Sequence, residues 1–226
     1  MFGISLYQPR NLELRIEGRV PFDPRILFSE NDIPDLRIPY LSQVPCSWGA
    51  VYFPEHFREF HDYLSLRLSE TTHNISEVIV PEIRSNRWTR SWKKYFNELV
   101  YLRGYVMLYP NYNLSLATNH LEIGAHVKSG SQGVPEAIRR QYDVPLMPFP
   151  SSSGERRSGL LELPGASLPE WDDLPVLDFW GVMTSHQEII RRGRDRHELL
   201  SGCESRLVQF TYDASDLLCS RTVPVT

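Results

Sequence analysis

Two histidines and a glutamate lie within seven residues of the stretch TNHLEIGAHV, Thr118–Val127. If this stretch is extended, His120 and Glu122 point to the same face because strand side chains alternate, and His126 has the same parity. Imidazole and carboxylate groups together suit Mn²⁺ or Zn²⁺. The spacing is looser than a metalloenzyme motif such as HExxH, so the alternative is that these side chains make structural hydrogen bonds or face solvent.

A second candidate site is the stretch PCSWGAVYFPEHF, Pro45–Phe57. Trp48 beside Gly49 could form a flat wall for a sugar ring, and Gly49 would allow a close backbone approach. Glu55 follows at a helix start, where its carboxylate could act as a base toward a hydroxyl. The alternative is that Trp48 belongs to the core and that Glu55 stabilises the helix N-terminus electrostatically.

A third candidate is a basic group interleaved with tryptophans. Arginine beside an aromatic ring can bind phosphate or stack on a base, which makes Trp88 and Arg90 candidate substrate contacts. Its members are Arg84, Arg87, Arg90, Lys93 and Lys94, set around Trp88 and Trp92. A basic run at a helix start is more often a solvated face, so both interpretations stay open.

Composition excludes several classes of protein. The chain has 226 residues, of which 41% are hydrophobic and 23% charged, with a net charge of −4, so a globular fold is expected and a nucleic-acid partner is not. No apolar run reaches the roughly 18–20 residues of a membrane helix. Cys203 and Cys219 could form a disulfide, and Asn74 and Asn113 begin glycosylation sequons, but spacing alone decides neither.

The hydrophobic pattern predicts one α/β protein whose C-terminal third is irregular. Residues 1–128 form the main α/β region, and residues 129–226 form a loop-rich extension packed on it. Helices are expected over residues 54–70, from about Ser91 to Gly104, and from Ser185, which has Glu188 in capping-box spacing. Strands are expected at GISLYQ, CSWGAVYF, SEVIVPEI, YVMLY and LPVLDFWGV, and the proline-rich residues 21–45 are expected to be ordered loop.

The helix beginning at Pro54 is expected to bury one apolar stripe. Phe57, Phe60, Leu64 and Leu68 recur at helical spacing. Glu59 and the other acidic residues of this helix are expected to lie away from the stripe.

Four long blocks carry a family resemblance. The blocks GISLYQPR, PYLSQVPCSWGAVYFPEHFREFHDYLSLRLSE, WTRSWKKYFNELVYLRGYVMLYPNY and SLATNHLEIGAHV resemble the glycosyltransferase family 2-like proteins of plants and fungi. The resemblance runs from about residue 3 to residue 127. It implies a GT-A-like layered sheet that transfers a sugar from a nucleotide-diphosphate donor to a hydroxyl of a carbohydrate or glycoconjugate acceptor.

The resemblance also implies roles for particular residues. Trp48 would stack on the acceptor, Glu55 or Asp62 would be the base, and His126 would help to hold Mn²⁺. The chain has no Asp-x-Asp and resembles only the acceptor-side half of such an enzyme, so it is not expected to be active by itself. If it belongs to a longer anchored glycosyltransferase, the secretory pathway is the expected compartment.

Two other functions remain open from the sequence. The absent Asp-x-Asp favours a non-catalytic interaction module or a truncated gene product. A metal-dependent hydrolase using His120, Glu122 and His126 is a third hypothesis.

Overall fold

The chain forms a mixed α/β fold, which confirms the predicted class. A computed structural model describes residues 1–47, 49–69, 77–111, 168–201 and 212–217. The strands are β1 Gly3–Ser5, β2 Asn11–Leu12, β3 Val20–Pro21, β4 Tyr40–Ser42, β5 Ala50–Tyr52, β6 Met107–Tyr109, β7 Val176–Leu177 and β8 Met183–Thr184. The α-helices are α1 Pro24–Glu30, α2 Pro54–Leu68, α3 Trp92–Arg103 and α4 His186–Ser201, and short 3₁₀ turns cover Arg84–Arg87, Trp171–Asp173 and Ala214–Leu217.

Six of these strands form one mixed sheet in the order β5–β1–β6–β4–β7–β8. β1 runs parallel to β6, and β4 runs parallel to β7, whereas the other neighbours are antiparallel. β2 and β3 form a separate antiparallel ribbon. β7 and β8, from beyond residue 129, therefore belong to the same sheet as the strands of the first half of the chain.

The helix signals in the sequence are confirmed. Pro54 occupies the first turn of α2, where its missing N–H costs nothing. α3 begins after Ser91 and ends at Gly104, whose φ of 64° is the left-handed conformation of a helix C-terminus. At the start of α4 the Ser185 hydroxyl accepts a hydrogen bond from the Glu188 amide at 3.1 Å.

One prediction about local structure is wrong and another is incomplete. Most of residues 21–45 lie outside helices and strands, as predicted, but Pro24 starts α1 behind its cap Asp23, and β4 lies inside the sheet between Pro39 and Pro45. Glu77–Ile83, the described part of SEVIVPEI, contains no strand, and Ile83 makes only an isolated bridge to Arg15. Pro81 lacks the N–H that a ladder needs, which disfavours strand pairing in this segment.

The main core lies between the sheet and helices α2 and α3. Its aromatic centre brings Phe2, next to β1, against Phe96 of α3 and Tyr52 of β5, with ring centroids 5.6 and 5.9 Å away. Phe60 of α2 packs on Phe96 at 4.5 Å. A smaller cluster contains Leu41, which points to the opposite face of the sheet from its neighbours in β4.

The buried face of α2 differs from the predicted stripe. Phe57 is 49% exposed and Leu68 61% exposed, whereas Glu59 is fully buried. His56, Phe60 and Tyr63 complete the buried face. The helix can turn Glu59 inward because Arg103 at the end of α3 and Tyr105, two residues farther on, supply the partners that a buried carboxylate needs.

Glu59 is held by two groups from the neighbouring elements. Its carboxylate accepts hydrogen bonds from Arg103 Nε and from the Tyr105 hydroxyl, each at 2.6 Å. Arg103 also forms a 2.6 Å ion pair with Asp216 and donates to the Asp213 carbonyl at 2.7 Å. The arginine thus connects α2, α3 and the short turn at residues 213–216.

Glu98 of α3 has the same kind of environment, but its partners come from α2. Its carboxylate accepts hydrogen bonds from Arg67 Nε at 3.0 Å and from the Tyr63 hydroxyl at 3.1 Å, both from α2. Each helix therefore contributes one buried carboxylate to an arginine and a tyrosine. We refer to Glu59, Arg103, Tyr105, Glu98, Arg67 and Tyr63 as the interface cluster.

Candidate functional site

A cleft lies over the sheet face that carries Tyr40, Ser42 and Tyr109. The β2–β3 ribbon covers one side of it, and the first turn of α3 closes another. The volume that the centres of water molecules can occupy in the cleft is about 40 Å³. A single bound water needs roughly 10–15 Å³ of such volume. The cleft therefore has room for a few waters or for one end of a small ligand. The polar residues lining it are Tyr7, Asn11, Glu13, Tyr40, Ser42, Cys46, Lys93, Tyr109 and Asp178.

The residues after β1 are turned toward this cleft by a serine. The Ser5 hydroxyl accepts a hydrogen bond from the Tyr7 amide at 3.1 Å and donates to the Tyr7 carbonyl at 2.7 Å. Farther along, the Arg10 carbonyl accepts a hydrogen bond from Phe22 and so ties the segment to the ribbon. Tyr7, Pro9 and Asn11 therefore line one wall of the cleft while β1 stays in the sheet.

One buried hydroxyl of the cleft has no hydrogen-bond partner among the described residues. It belongs to Tyr40, whose side chain is 1% exposed. Both amide atoms of Gln8, which follows the lining residue Tyr7 in the chain but does not line the cleft, also lack a partner within that part of the protein. Burial raises the pKa of Tyr40 above its ordinary value, which keeps its hydroxyl neutral and able to donate. A buried polar atom without a partner costs about 1–3 kcal/mol, so a bound water or ligand is expected to satisfy these groups.

The ring of Tyr40 is held rigidly by other aromatic residues. It stacks on Tyr109 with a centroid distance of 5.5 Å and an interplanar angle of 14°, and Phe28 meets it edge-on at 5.8 Å. The Tyr109 hydroxyl donates to the Val44 carbonyl at 2.6 Å. The hydroxyl of Tyr40 is therefore presented at a fixed position.

Charged groups in the cleft are already paired with protein groups. Lys93 Nζ lies 2.6 Å from a Glu13 carboxylate oxygen and 3.3 Å from the Ser47 hydroxyl. Asp178 accepts hydrogen bonds from the amides of Trp180 and Val182 and an ion pair from Arg192 at 3.0 Å. Because both carboxylates are held in ion pairs, the geometry favours binding of a ligand over proton transfer to it.

The predicted base and substrate residues do not line this cleft. Glu55 and Asp62 lie two turns apart on the exposed face of α2, and the Asp62 carboxylate is 3.2 Å from His61 Nδ1. Gly49 makes no close approach, since a Cβ added there would meet no atom within 4 Å. Trp88 packs against the core, and Arg90 is exposed.

The predicted metal ligands His120, Glu122 and His126 lie outside the described residues, as do Trp48, Cys203, Cys219, Asn74 and Asn113. Among the residues that the structure does describe, no group of three or more histidine, cysteine, aspartate or glutamate side chains could hold a metal ion. Within that same part of the chain, no helix has both the length and the apolarity to cross a membrane.

Tyr7, Asn11 and Tyr40 are cleft residues that the sequence did not reveal, and the basic group that includes Lys93 was left open between a phosphate-binding site and a solvated face. A polar run placed directly after the first strand was the available signal, because ligand-binding residues often follow strands. The side chain of Lys93 fits neither interpretation, because it is buried in an ion pair with Glu13.

Comparison with known proteins gives one partial match. The model of the family described as the SPBC1E8.03c C-terminal domain matches residues 23–73, a minority of the chain that includes α1, β4, β5 and α2. That description states no activity. No curated protein and no solved structure matches the chain.

Proposed function

We propose that this chain binds a carbohydrate in the cleft and acts as the acceptor-side part of a glycosyltransferase-like protein. The observation that carries the proposal is the Tyr40 hydroxyl, which lines the cleft and is buried and unpartnered within the described residues. Sugar hydroxyls both donate and accept hydrogen bonds, so one of them can satisfy this phenol. The aromatic wall around Tyr40 supplies the apolar surface that a sugar ring also needs.

The sequence resemblance and the mixed α/β sheet support the glycosyltransferase part of this proposal. Sugar transfer would need a nucleotide-diphosphate donor, and Mn²⁺ held with help from His126 would offset the charge of the diphosphate. Glu55 and Asp62 remain the proposed bases, acting on an acceptor hydroxyl that extends beyond the cleft. The ion-paired carboxylates inside the cleft are better suited to orienting the acceptor.

The proposal is tested by following backbone amide signals during titration with glucose and mannose. Signals of residues 7–11 and 40–46 are expected to shift in the native chain and to shift much less in Tyr40→Phe. Arg90→Gln is a control that removes an exposed polar group away from the cleft. Shifts that persist unchanged in Tyr40→Phe would contradict the assignment of the cleft.

A separate titration with UDP and GDP, with and without Mn²⁺, tests the donor side. Binding that requires Mn²⁺ and is lost in His126→Ala would support a donor site in this chain. Carbohydrate binding without nucleotide binding would limit the chain to the acceptor side. If neither sugars nor nucleotides bind to cooperatively folded protein, the proposal fails.

A further inference from the structure

One wall of the cleft carries hydroxyl groups whose protons the described residues leave unused. Tyr40 and Ser42 are two residues apart on β4, so their side chains point to the same face of the sheet, and both line the cleft. The Tyr40 hydroxyl has no hydrogen-bond partner in the described part of the chain. The Ser42 hydroxyl accepts a hydrogen bond from the Val44 amide at 3.2 Å but donates to no described residue. Both hydroxyls can therefore donate to a ligand.

The carboxylates that line the cleft already accept hydrogen bonds from protein groups. One oxygen of Asp178 accepts from two backbone amides of its own turn, and the other accepts from Arg192 at 3.0 Å. A carboxylate oxygen of Glu13 lies 2.6 Å from Lys93 Nζ. A ligand group that accepts hydrogen bonds is therefore a better match to this cleft than a group that only donates them.

The charges of the cleft disfavour an anionic acceptor. The charged residues that line it within the described part of the chain are Glu13, Asp178 and Lys93, and each of them is already in an ion pair. An anion would meet two carboxylates, and the Lys93 ammonium is already bound to Glu13 and to the Ser47 hydroxyl. Because a charge without a partner is expensive to bury, the acceptor is expected to be neutral, as a carbonyl is.

The remaining wall of the cleft is largely apolar. Its apolar lining residues are Pro9, Leu12, Phe22, Val44, Pro45 and Leu177. A sugar hydroxyl by itself would satisfy a donor but would leave this apolar surface in contact with water. A small group that joins a carbonyl to a methyl group would satisfy the donor and cover the apolar surface together. The volume of about 40 Å³ open to water centres suits a group of that size.

We propose that the cleft binds the acetamido group of an N-acetylated amino sugar. This inference rests on the proposed function, since it specifies which class of carbohydrate the cleft takes. The acetamido carbonyl accepts a hydrogen bond from the Tyr40 hydroxyl, and the Ser42 hydroxyl is the second donor on the same strand. The methyl group packs on the apolar wall, and the rest of the sugar extends from the cleft.

The first test compares four sugars on the native full chain by calorimetric titration: glucose, glucosamine, glucuronate and N-acetylglucosamine. N-acetylglucosamine is expected to bind about tenfold more tightly than glucose, because it adds a hydrogen bond to a carbonyl and the burial of a methyl group. Glucosamine and glucuronate are expected to gain nothing over glucose, since neither supplies a neutral acceptor joined to a methyl group.

Two variants connect the preference to β4. Tyr40→Phe and Ser42→Ala are each expected to reduce the ratio of N-acetylglucosamine affinity to glucose affinity several-fold, because each removes a donor. Tyr212→Phe and Ser65→Ala are the matched controls, since both residues are exposed and neither lines the cleft. The ratio is expected to stay unchanged in both controls. Urea denaturation of each variant shows that the titrated protein is folded.

The outcomes separate this inference from the proposed function. Equal binding of all four sugars, or tightest binding of glucosamine or glucuronate, would overturn the acetamido site while leaving carbohydrate binding intact. Binding of acetamide alone that is lost in folded Tyr40→Phe, with no sugar bound, would support the acetamido site and overturn carbohydrate binding. A preference for N-acetylglucosamine that neither Tyr40→Phe nor Ser42→Ala reduces would overturn the assignment to this wall.

Discussion

The interface cluster and the cleft both bury polar side chains, but they satisfy them differently. In the interface cluster each carboxylate accepts hydrogen bonds from an arginine and a tyrosine of nearby elements. In the cleft, the buried Tyr40 hydroxyl has no partner among the described residues. Saturated polar groups indicate a structural role, whereas buried groups left without partners indicate a place for a ligand.

The largest expected effect is in the interface cluster. Glu59→Gln removes the negative charge that faces Arg103, and breaking a buried ion pair costs about 3–5 kcal/mol of unfolding free energy. Urea denaturation measures the change. Glu55→Gln, one turn away on the exposed side of α2, is the matched control and is expected to change stability by less than about 0.5 kcal/mol. Equal effects of the two substitutions would mean that burial of Glu59 contributes nothing.

Removing single hydroxyls compares the two regions directly. Tyr105→Phe and Tyr63→Phe each delete a donor to a buried carboxylate, at an expected cost of about 1–3 kcal/mol. Tyr40→Phe deletes a hydroxyl without a partner in the described part of the protein, so its unfolding free energy is expected to stay within about 0.5 kcal/mol or to rise. A loss as large as that of Tyr105→Phe would show that the Tyr40 hydroxyl is already satisfied.

A glycine at the edge of the cleft offers a smaller test. Gly181, in the turn between β7 and β8, has a φ of 74°, and a Cβ there would lie 2.6 Å from a Leu12 methyl group. Gly181→Ala is expected to cost about 1–2 kcal/mol through the left-handed conformation and to push Leu12 and the β2–β3 ribbon outward. Thermal unfolding measures the cost, and weaker sugar binding would report the displaced ribbon. Unchanged binding would show that the ribbon does not shape the site.

The smallest expected effect is a dependence of stability on pH. His56 is buried against the rings of Tyr105 and Tyr212, at 4.8 and 4.9 Å, and its Nδ1 has no partner among the described residues. Burial lowers the pKa of His56 in the folded state. The unfolded chain takes up the proton at the ordinary value of about 6.5. The contribution of His56 is therefore complete above that pH and is lost as the pH falls toward the lowered folded pKa.

The measurement is urea denaturation at several pH values between 5 and 8. His56→Gln is expected to flatten the decrease below about pH 6.5, while the exposed His61 provides the control variant His61→Gln. Burial also lowers the pKa of His186 and His197, so part of the decrease is expected to remain in His56→Gln. If His56→Gln leaves the decrease in unfolding free energy unchanged, His56 does not contribute to the pH dependence.

Local signals in the sequence predicted where helices begin and end, but they did not predict which polar side chains are buried. α3 begins after Ser91 and ends at Gly104, and α4 begins after Ser185, as expected, because the signals for helix ends depend on a few neighbouring residues. Burial of Glu59 could not be predicted from α2 alone, since it depends on Arg103, far away in the chain. The cleft could not be predicted for the same reason, because Asn11, Tyr40 and Lys93 come together only after the sheet and the ribbon have formed.

The sheet order has a consequence for how the chain folds. The two parallel pairings join Gly3 to Met107 and Leu41 to Val176, so partners far apart in the sequence must meet before the centre of the sheet is complete. Topologies dominated by such distant contacts fold slowly because loop closure precedes the gain from pairing. We expect α2 and α3 to form early and the pairing of β4 with β7 to limit the rate. The cleft would then be among the last parts of the molecule to form.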